Sequence, residues 1–249
     1  VTGCRLTYQY TLDSAAELWM DYLSLKSIRT VNIEFRNLPQ TTMVDSISDF
    51  LSVYTHYISV HQMDSSKAIF EGCSGGGSMV LFSYLQMLQK PIEYSAHLPK
   101  LILSHSPGPG LENVPSFTPW EGSHVYQMNI DHSSTFFFSN DVGQQWGKEW
   151  DEESRTTLTS WLSDRHLMGK LGKEVIVTSA EHEVFHHPHE EFMKYLNTVH
   201  SGEQVGVQYL SFPNRTHCLQ ALEFTMFTGP EGINDQKRIF KSIRNVWEM

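Results

Sequence analysis

Apolar, β-branched runs alternate along the chain with segments of helical spacing. "TVNIEF" (30–35), "KAIFEG" (67–72), "KLILSHS" (100–106), "KEVIVTSA" (173–180) and "VGVQYLSF" (205–212) predict strands. Residues 11–27, 44–60, 78–89, 189–199 and 235–247 predict helices. In 44–60, Ile47, Phe50, Leu51, Tyr54, Tyr57 and Ile58 recur every three or four positions and mark one apolar face. The helix 78–89 is apolar on nearly every side and belongs against a sheet. The last helix carries Ile239, Phe240, Ile243, Val246 and Trp247 on one stripe. Strands alternating with helices predict an α/β fold, a mainly parallel sheet with helices on both faces, and a single domain over 1–249.

One span breaks the alternation. Residues 107–165 open with "PGPG" and carry Phe117, Trp120, Tyr126, Phe136, Phe137, Phe138, Trp146 and Trp150. An aromatic-rich insertion lying over the sheet like a cap fits this stretch, either as satellite core packing or as a substrate lining.

Composition narrows the function classes. Of the 249 residues, 40% are hydrophobic and 12% aromatic, enough for a large buried core. The formal charge of −10 repels phosphate backbones and disfavours nucleic-acid binding. No apolar run approaches the roughly 18 residues of a membrane span, so membrane association would need a segment outside this chain. Cys4, Cys73 and Cys218 form no C-x-x-C pair, and free thiols are expected. Asn214-Arg215-Thr216 is an N-glycosylation sequon, a weak pointer by itself.

The chemistry concentrates after three strands. Gly72-Cys73-Ser74-Gly75-Gly76 is a G-x-S-x-G pattern with a strand running directly in and an apolar helix running directly out. That is the setting of a nucleophile elbow: a sharp turn holds the serine hydroxyl clear of its neighbours. Side chains at Gly72 or Gly76 would collide with the adjoining strand or helix. The Gly75 N–H, at the helix head, can face a developing oxyanion. Serine needs a base, and the base an orienting acid, in chain order Ser, acid, His. Glu183 follows the strand 173–180, and His217 follows the strand 205–212. Glu181 competes for the acid role if the register shifts by two. Asp131, Asp141 and Asp151 come too early.

A rival pattern overlaps the acid. His182-Glu183-Val184-Phe185-His186 satisfies the H-E-x-x-H of zinc peptidases, which requires one continuous helix so that both histidines share a face. A strand ending near Ala180 and a proline at 188 leave little room for that helix. His186, His187 and His189 are expected to be a solvated cluster.

"VNIEFRNLP", "DSISDFLSVYTHYIS" and "AIFEGCSGGGSMVLFSYLQML" follow one another as the corresponding segments do in hormone-sensitive-lipase-like α/β hydrolases, and the chain resembles that family. "IVTSAEHEVFHHPHEEFMKYL" is similar to the family's acid segment and "FPNRTHCL" to its histidine loop. Within the family, the fungal steryl acetyl hydrolases are the nearest likeness. The resemblance implies Ser74 as nucleophile, Glu183 as acid and His217 as base. It implies hydrolysis of a small acyl ester of a hydrophobic alcohol, such as an acetylated sterol, through an acyl-serine without cofactor or metal. The compartment stays open, with the lumen or membrane of the endoplasmic reticulum raised by the resemblance alone.

Two departures accompany it. The family's H-G-G-G oxyanion loop is reduced to "VTGCR", leaving Gly3 and Cys4 to supply the second oxyanion N–H. The family's early strands have no counterpart, so the chain is expected to lack an N-terminal part or to diverge there. A hydrolase fold that binds its ligand without turnover is the alternative those departures raise.

Overall fold

The computed structural model describes residues 31, 33, 36, 41–108, 110–111, 114–115, 152–183, 185–200, 206–215 and 230–248. Four strands, β1 (Ile69–Cys73), β2 (Leu101–His105), β3 (Val175–Ala180) and β4 (Gln208–Phe212), form one sheet in the order β1-β2-β3-β4. Every neighbouring pair is parallel. Cys73 sits level with His105, and His105 with Thr178. All four strands therefore end along one edge, where open α/β sheets place their sites.

The strand sequences explain the layering. Side chains alternate between faces along a strand. Ile102, Val175 and Val177 point into one core with helices α1 (Met43–His61), α2 (Gly75–Gln89), α3 (Glu152–Ser163) and α4 (His186–Val199). Leu101, Leu103, Ile176 and Phe212 point into the other, against Ile239, Phe240, Ile243 and Val246 of α5 (Pro230–Trp247). Helices cover both faces, as a parallel sheet requires. The predicted stripe of α5 is its buried face, with Trp247 packed at the margin. Helix α1 buries Ile47, Phe50, Leu51 and Tyr54, and Thr42 and Asp45 close its start as a capping box.

Several boundaries differ from those predicted. Val31 and Ile33 carry no strand assignment, and the rest of 30–35 lies outside the described residues, as does 11–27. Helix α4 begins at His186 rather than 189, with Pro188 in its first turn. Proline is tolerated there because the first N–H groups of a helix have no partner within it. Leu111, Val114, Leu158, Trp161 and Leu162, from the ends of the span 107–165, belong to the main core. Its aromatics from Phe117 to Trp150 lie outside the described residues. No described helix is long and apolar enough to cross a membrane.

Candidate active site

Ser74 joins β1 to α2 with φ 56° and ψ −124°, a backbone conformation that residues bearing a side chain rarely adopt. Hydrogen bonds hold it there. Its N–H donates to His105 O at 2.9 Å, and its carbonyl accepts from Ser78 N at 3.0 Å and Gly108 N at 3.3 Å. The glycines permit the turn. A Cβ on Gly72 would stand 2.2 Å from Gly76 O, and one on Gly77 would stand 2.8 Å from His105 O. The second clash thus falls at Gly77; Gly76 contributes the carbonyl that crowds Gly72. Because backbone cannot swing aside, Gly72→Ala is expected to cost about 3 kcal/mol, measured as a shift of the urea midpoint. Gly75 is the first residue of α2, so its N–H is among those left without a partner inside the helix.

Glu183 lies in the turn between β3 and α4 and is only 7% exposed. Its Oε1 accepts from Ala180 N at 2.8 Å and from Ser179 Oγ at 3.0 Å. The competitor Glu181 is partly exposed, and its Oε2 accepts from Asn214 N at 3.0 Å. The acid turn is tied to the segment after β4: Glu181 N donates to Phe212 O at 2.9 Å and His182 N to Arg215 O at 2.8 Å. Arg215 is held in turn by Asp235, Nε to Oδ2 at 2.6 Å.

His189, expected to be solvated, is fully buried. It falls on the same face of α4 as Phe192 and Leu196, three and seven residues on. Its Nε2 donates to Pro107 O at 2.6 Å, since a carbonyl can only accept. Its Nδ1 lies 2.8 Å from Ser179 Oγ and 3.5 Å from Glu183 Oε1. His189 thus bridges the carboxylate to the loop whose next residue, Gly108, bonds the Ser74 carbonyl. His189→Leu would leave Pro107 O without its ring donor, whereas Ser179 Oγ keeps Glu183 Oε1 and His186 Nδ1. The expected loss is about 2 kcal/mol, from 1–3 kcal/mol for one buried group left unmatched, again read from urea unfolding.

Cys73, expected to be a free thiol, is in a disulfide and is 1% exposed. Three cysteines scattered through the sequence carry no spacing signal for such a bond; the fold makes the pair.

The H-E-x-x-H segment is not one helix. His182 and Glu183 lie in the turn, and the helix starts at His186. His182 Nε2 faces Asn214 Oδ1 at 3.4 Å, whereas His186 Nδ1 faces Ser179 Oγ at 2.9 Å. The two histidines therefore share no helix face. Among the described residues no group of three or more His, Cys, Asp or Glu is arranged to hold a metal.

Of the other candidates, His217, Gly3, Cys4, Asp131, Asp141 and Asp151 lie outside the described residues. Ser179 and His189 were not among the candidates. The small polar run at the end of β3 gave no hint, whereas the spacing of His189, Phe192 and Leu196 already lay within the predicted helix 189–199.

No protein-family model matches the sequence, and no curated protein sequence matches it either. Solved structures do match. An esterase/lipase from an uncultured bacterium superposes with a TM-score of 0.59 at 15% identity, over 87% of this chain and 65% of that one. A Rhizomucor miehei structure, one of two fungal esterases studied for substrate specificity, gives 0.65 at 11%, over 99% and 71%. Carboxyl esterase 2 of the mycorrhizal fungus Tuber melanosporum gives 0.64 at 12%, over 94% and 73%. The chain thus spans about two thirds to three quarters of the length of these enzymes. With its parallel sheet, helices on both faces and a serine at the strand–helix turn, the chain has the α/β-hydrolase fold of these esterases.

Proposed function

We propose that the protein hydrolyses carboxylic esters through an acyl-serine intermediate, with Ser74 as nucleophile, His217 as base and Glu183 as acid. The observation that carries this reading is the backbone of Ser74: a serine at positive φ, fixed between a strand and a helix N-terminus by bonds to His105, Ser78 and Gly108. Backbone strain of this kind costs about 1–3 kcal/mol and persists where function requires it.

In the reaction, Ser74 Oγ attacks the ester carbonyl while His217 takes its proton. The carbonyl oxygen becomes an oxyanion, which the Gly75 N–H and the dipole of α2 stabilise. Gly3 or Cys4 supplies the second N–H. The oxyanion collapses, the C–O bond to the alcohol breaks, and His217 returns the proton to the leaving alkoxide. Water then attacks the acyl-serine by the reverse proton path and releases the acid. Glu183 holds the imidazole tautomer that makes His217 a base. The link from the acid turn to Arg215 supports the base assignment, since two residues span at most about 7 Å.

The substrate is a small acyl ester of a hydrophobic alcohol, with an acetylated sterol the candidate that the sequence resemblance raises. The aromatic span 107–165 would contribute to the apolar pocket. The superposed structures are esterases, and the shared fold supports ester chemistry for this protein. The test is a panel of p-nitrophenyl esters from acetate to decanoate plus a steryl acetate, together with a fluorophosphonate adduct mapped by peptide mass. Turnover that falls with acyl length and an adduct on Ser74 are expected. Absence of any adduct from a folded sample sinks the reading.

A further inference from the structure

Cys73 is disulfide-bonded, and the chain holds only two other cysteines, Cys4 and Cys218. Cys73 directly precedes Ser74, and Cys218 directly follows His217. We infer that Cys73 pairs with Cys218, so that one covalent bond fastens the residue before the nucleophile to the residue after the base. This rests on the reading of His217 as the base.

The chemistry of the base favours Cys218, whereas the oxyanion role shared by Gly3 and Cys4 asks only for a backbone N–H and sets no place for the Cys4 sulfur. For His217 to take the Ser74 proton, its ring must come within about 2.6–3.2 Å of Oγ. That requirement carries the neighbouring residue to the end of β1, where the Cys73 sulfur is buried. A disulfide needs Cα atoms about 4.4–6.8 Å apart, a separation natural to residues flanking two side chains in hydrogen-bond contact.

Reach permits it. Arg215 is bonded to the acid turn beyond β3, and β3 lies two strands from β1. Two strand spacings amount to roughly 10 Å. Three extended residues plus a disulfide reach roughly 15 Å. Cys4 stands 27 positions before the first described residue, Val31, so no described contact bears on its distance from Cys73.

The bond would do what hydrogen bonds do for the other two members of the site. Ser74 is fixed by His105, Ser78 and Gly108, and Glu183 by Ser179 and Ala180. The third member follows β4 in the sequence, and a covalent tie one residue from it would limit how far its imidazole can drift from Oγ. Formation follows thiol–disulfide exchange: the two thiols give up two protons and two electrons to a disulfide oxidant such as oxidised glutathione, which leaves as two thiols. Such a bond persists in an oxidising compartment, which restricts where the active protein can mature.

The experiment is peptide mapping without reduction on full-length protein from an oxidising host, with free thiols alkylated before digestion. A Cys73–Cys218 peptide with Cys4 alkylated is expected. A Cys73–Cys4 peptide, or alkylated Cys73, overturns the proposal. Mild reduction of the same sample is expected to lower kcat by about 10- to 100-fold, the order set by ångström-scale misplacement of a catalytic group. KM should move little. Unchanged kcat after demonstrated reduction overturns the positioning role even if the bond is mapped. Fluorophosphonate labelling of the oxidised protein separates the two levels. A mapped Cys73–Cys218 bond without Ser74 labelling removes the esterase reading; labelling with a Cys73–Cys4 bond removes only the pairing.

Discussion

Ser74→Ala is expected to lose about 10⁵- to 10⁶-fold in kcat on p-nitrophenyl acetate, the scale at which removal of a triad serine acts. The magnitude follows from what the hydroxyl does. In the proposed reaction it provides the nucleophile, and without it neither His217 nor Glu183 has a proton transfer to serve. What survives is the contribution of the oxyanion donors and of binding, some 10³-fold over water. The fold should tolerate the change well. The bonds that hold residue 74 run from its backbone to His105, Ser78 and Gly108, and Ser74 makes no side-chain cap bond to α2. Alanine keeps those backbone contacts, so the melting temperature is expected to stay within a few degrees of the parent. Steady-state kinetics and circular dichroism on the same sample check both parts. Retention of more than a tenth of the activity would assign the nucleophile elsewhere.

That the turn carrying Ser74 could be found in the sequence at all reflects how local its constraint is. Strand, turn and helix are contiguous, and the glycine pattern is imposed by close backbone approach, with Gly72 pressed against Gly76 O. The two cores were legible for a similar reason. Alternation along β2 and β3 assigns Leu101, Leu103 and Ile176 to one face and Ile102, Val175 and Val177 to the other. What the sequence withheld depends on contacts between distant segments. His189 meets Pro107 across 82 residues, and its neighbours His186 and His187 give it the look of a solvated run. Pro188 hid the true start of α4, although the spacing that puts His189 on the buried face lay within the predicted helix 189–199. The Cys73 disulfide was hidden by its distance from any other cysteine. Chain order alone singled out Glu183; the structure adds that it is buried with two donors on Oε1, whereas Glu181 is partly exposed.

Those donors set the second large effect. Glu183→Gln is expected to lower kcat by about 10⁴-fold, the consequence of holding a triad histidine in the wrong tautomer. In the parent, Ala180 N–H and the Ser179 hydroxyl both address Oε1. A backbone N–H cannot donate to an amide NH₂, so glutamine must turn its own oxygen toward Ala180. Its NH₂ then takes the place of Oε2. In the proposed triad, the imidazole of His217 facing that group would have to accept with Nδ1 and keep its hydrogen on Nε2, where it could no longer take the Ser74 proton. The variant should therefore fold with little loss, since both donors stay matched, yet turn over slowly. KM should be nearly unchanged, because no contact with substrate is altered. Glu181→Gln is the control: its carboxylate is partly exposed and serves the turn at Asn214, so its effect on kcat should stay within a few-fold. Reversal of the two phenotypes, with Glu181→Gln crippled and Glu183→Gln active, would move the acid by two residues and leave the buried Glu183–Ser179–His189 cluster a purely structural one.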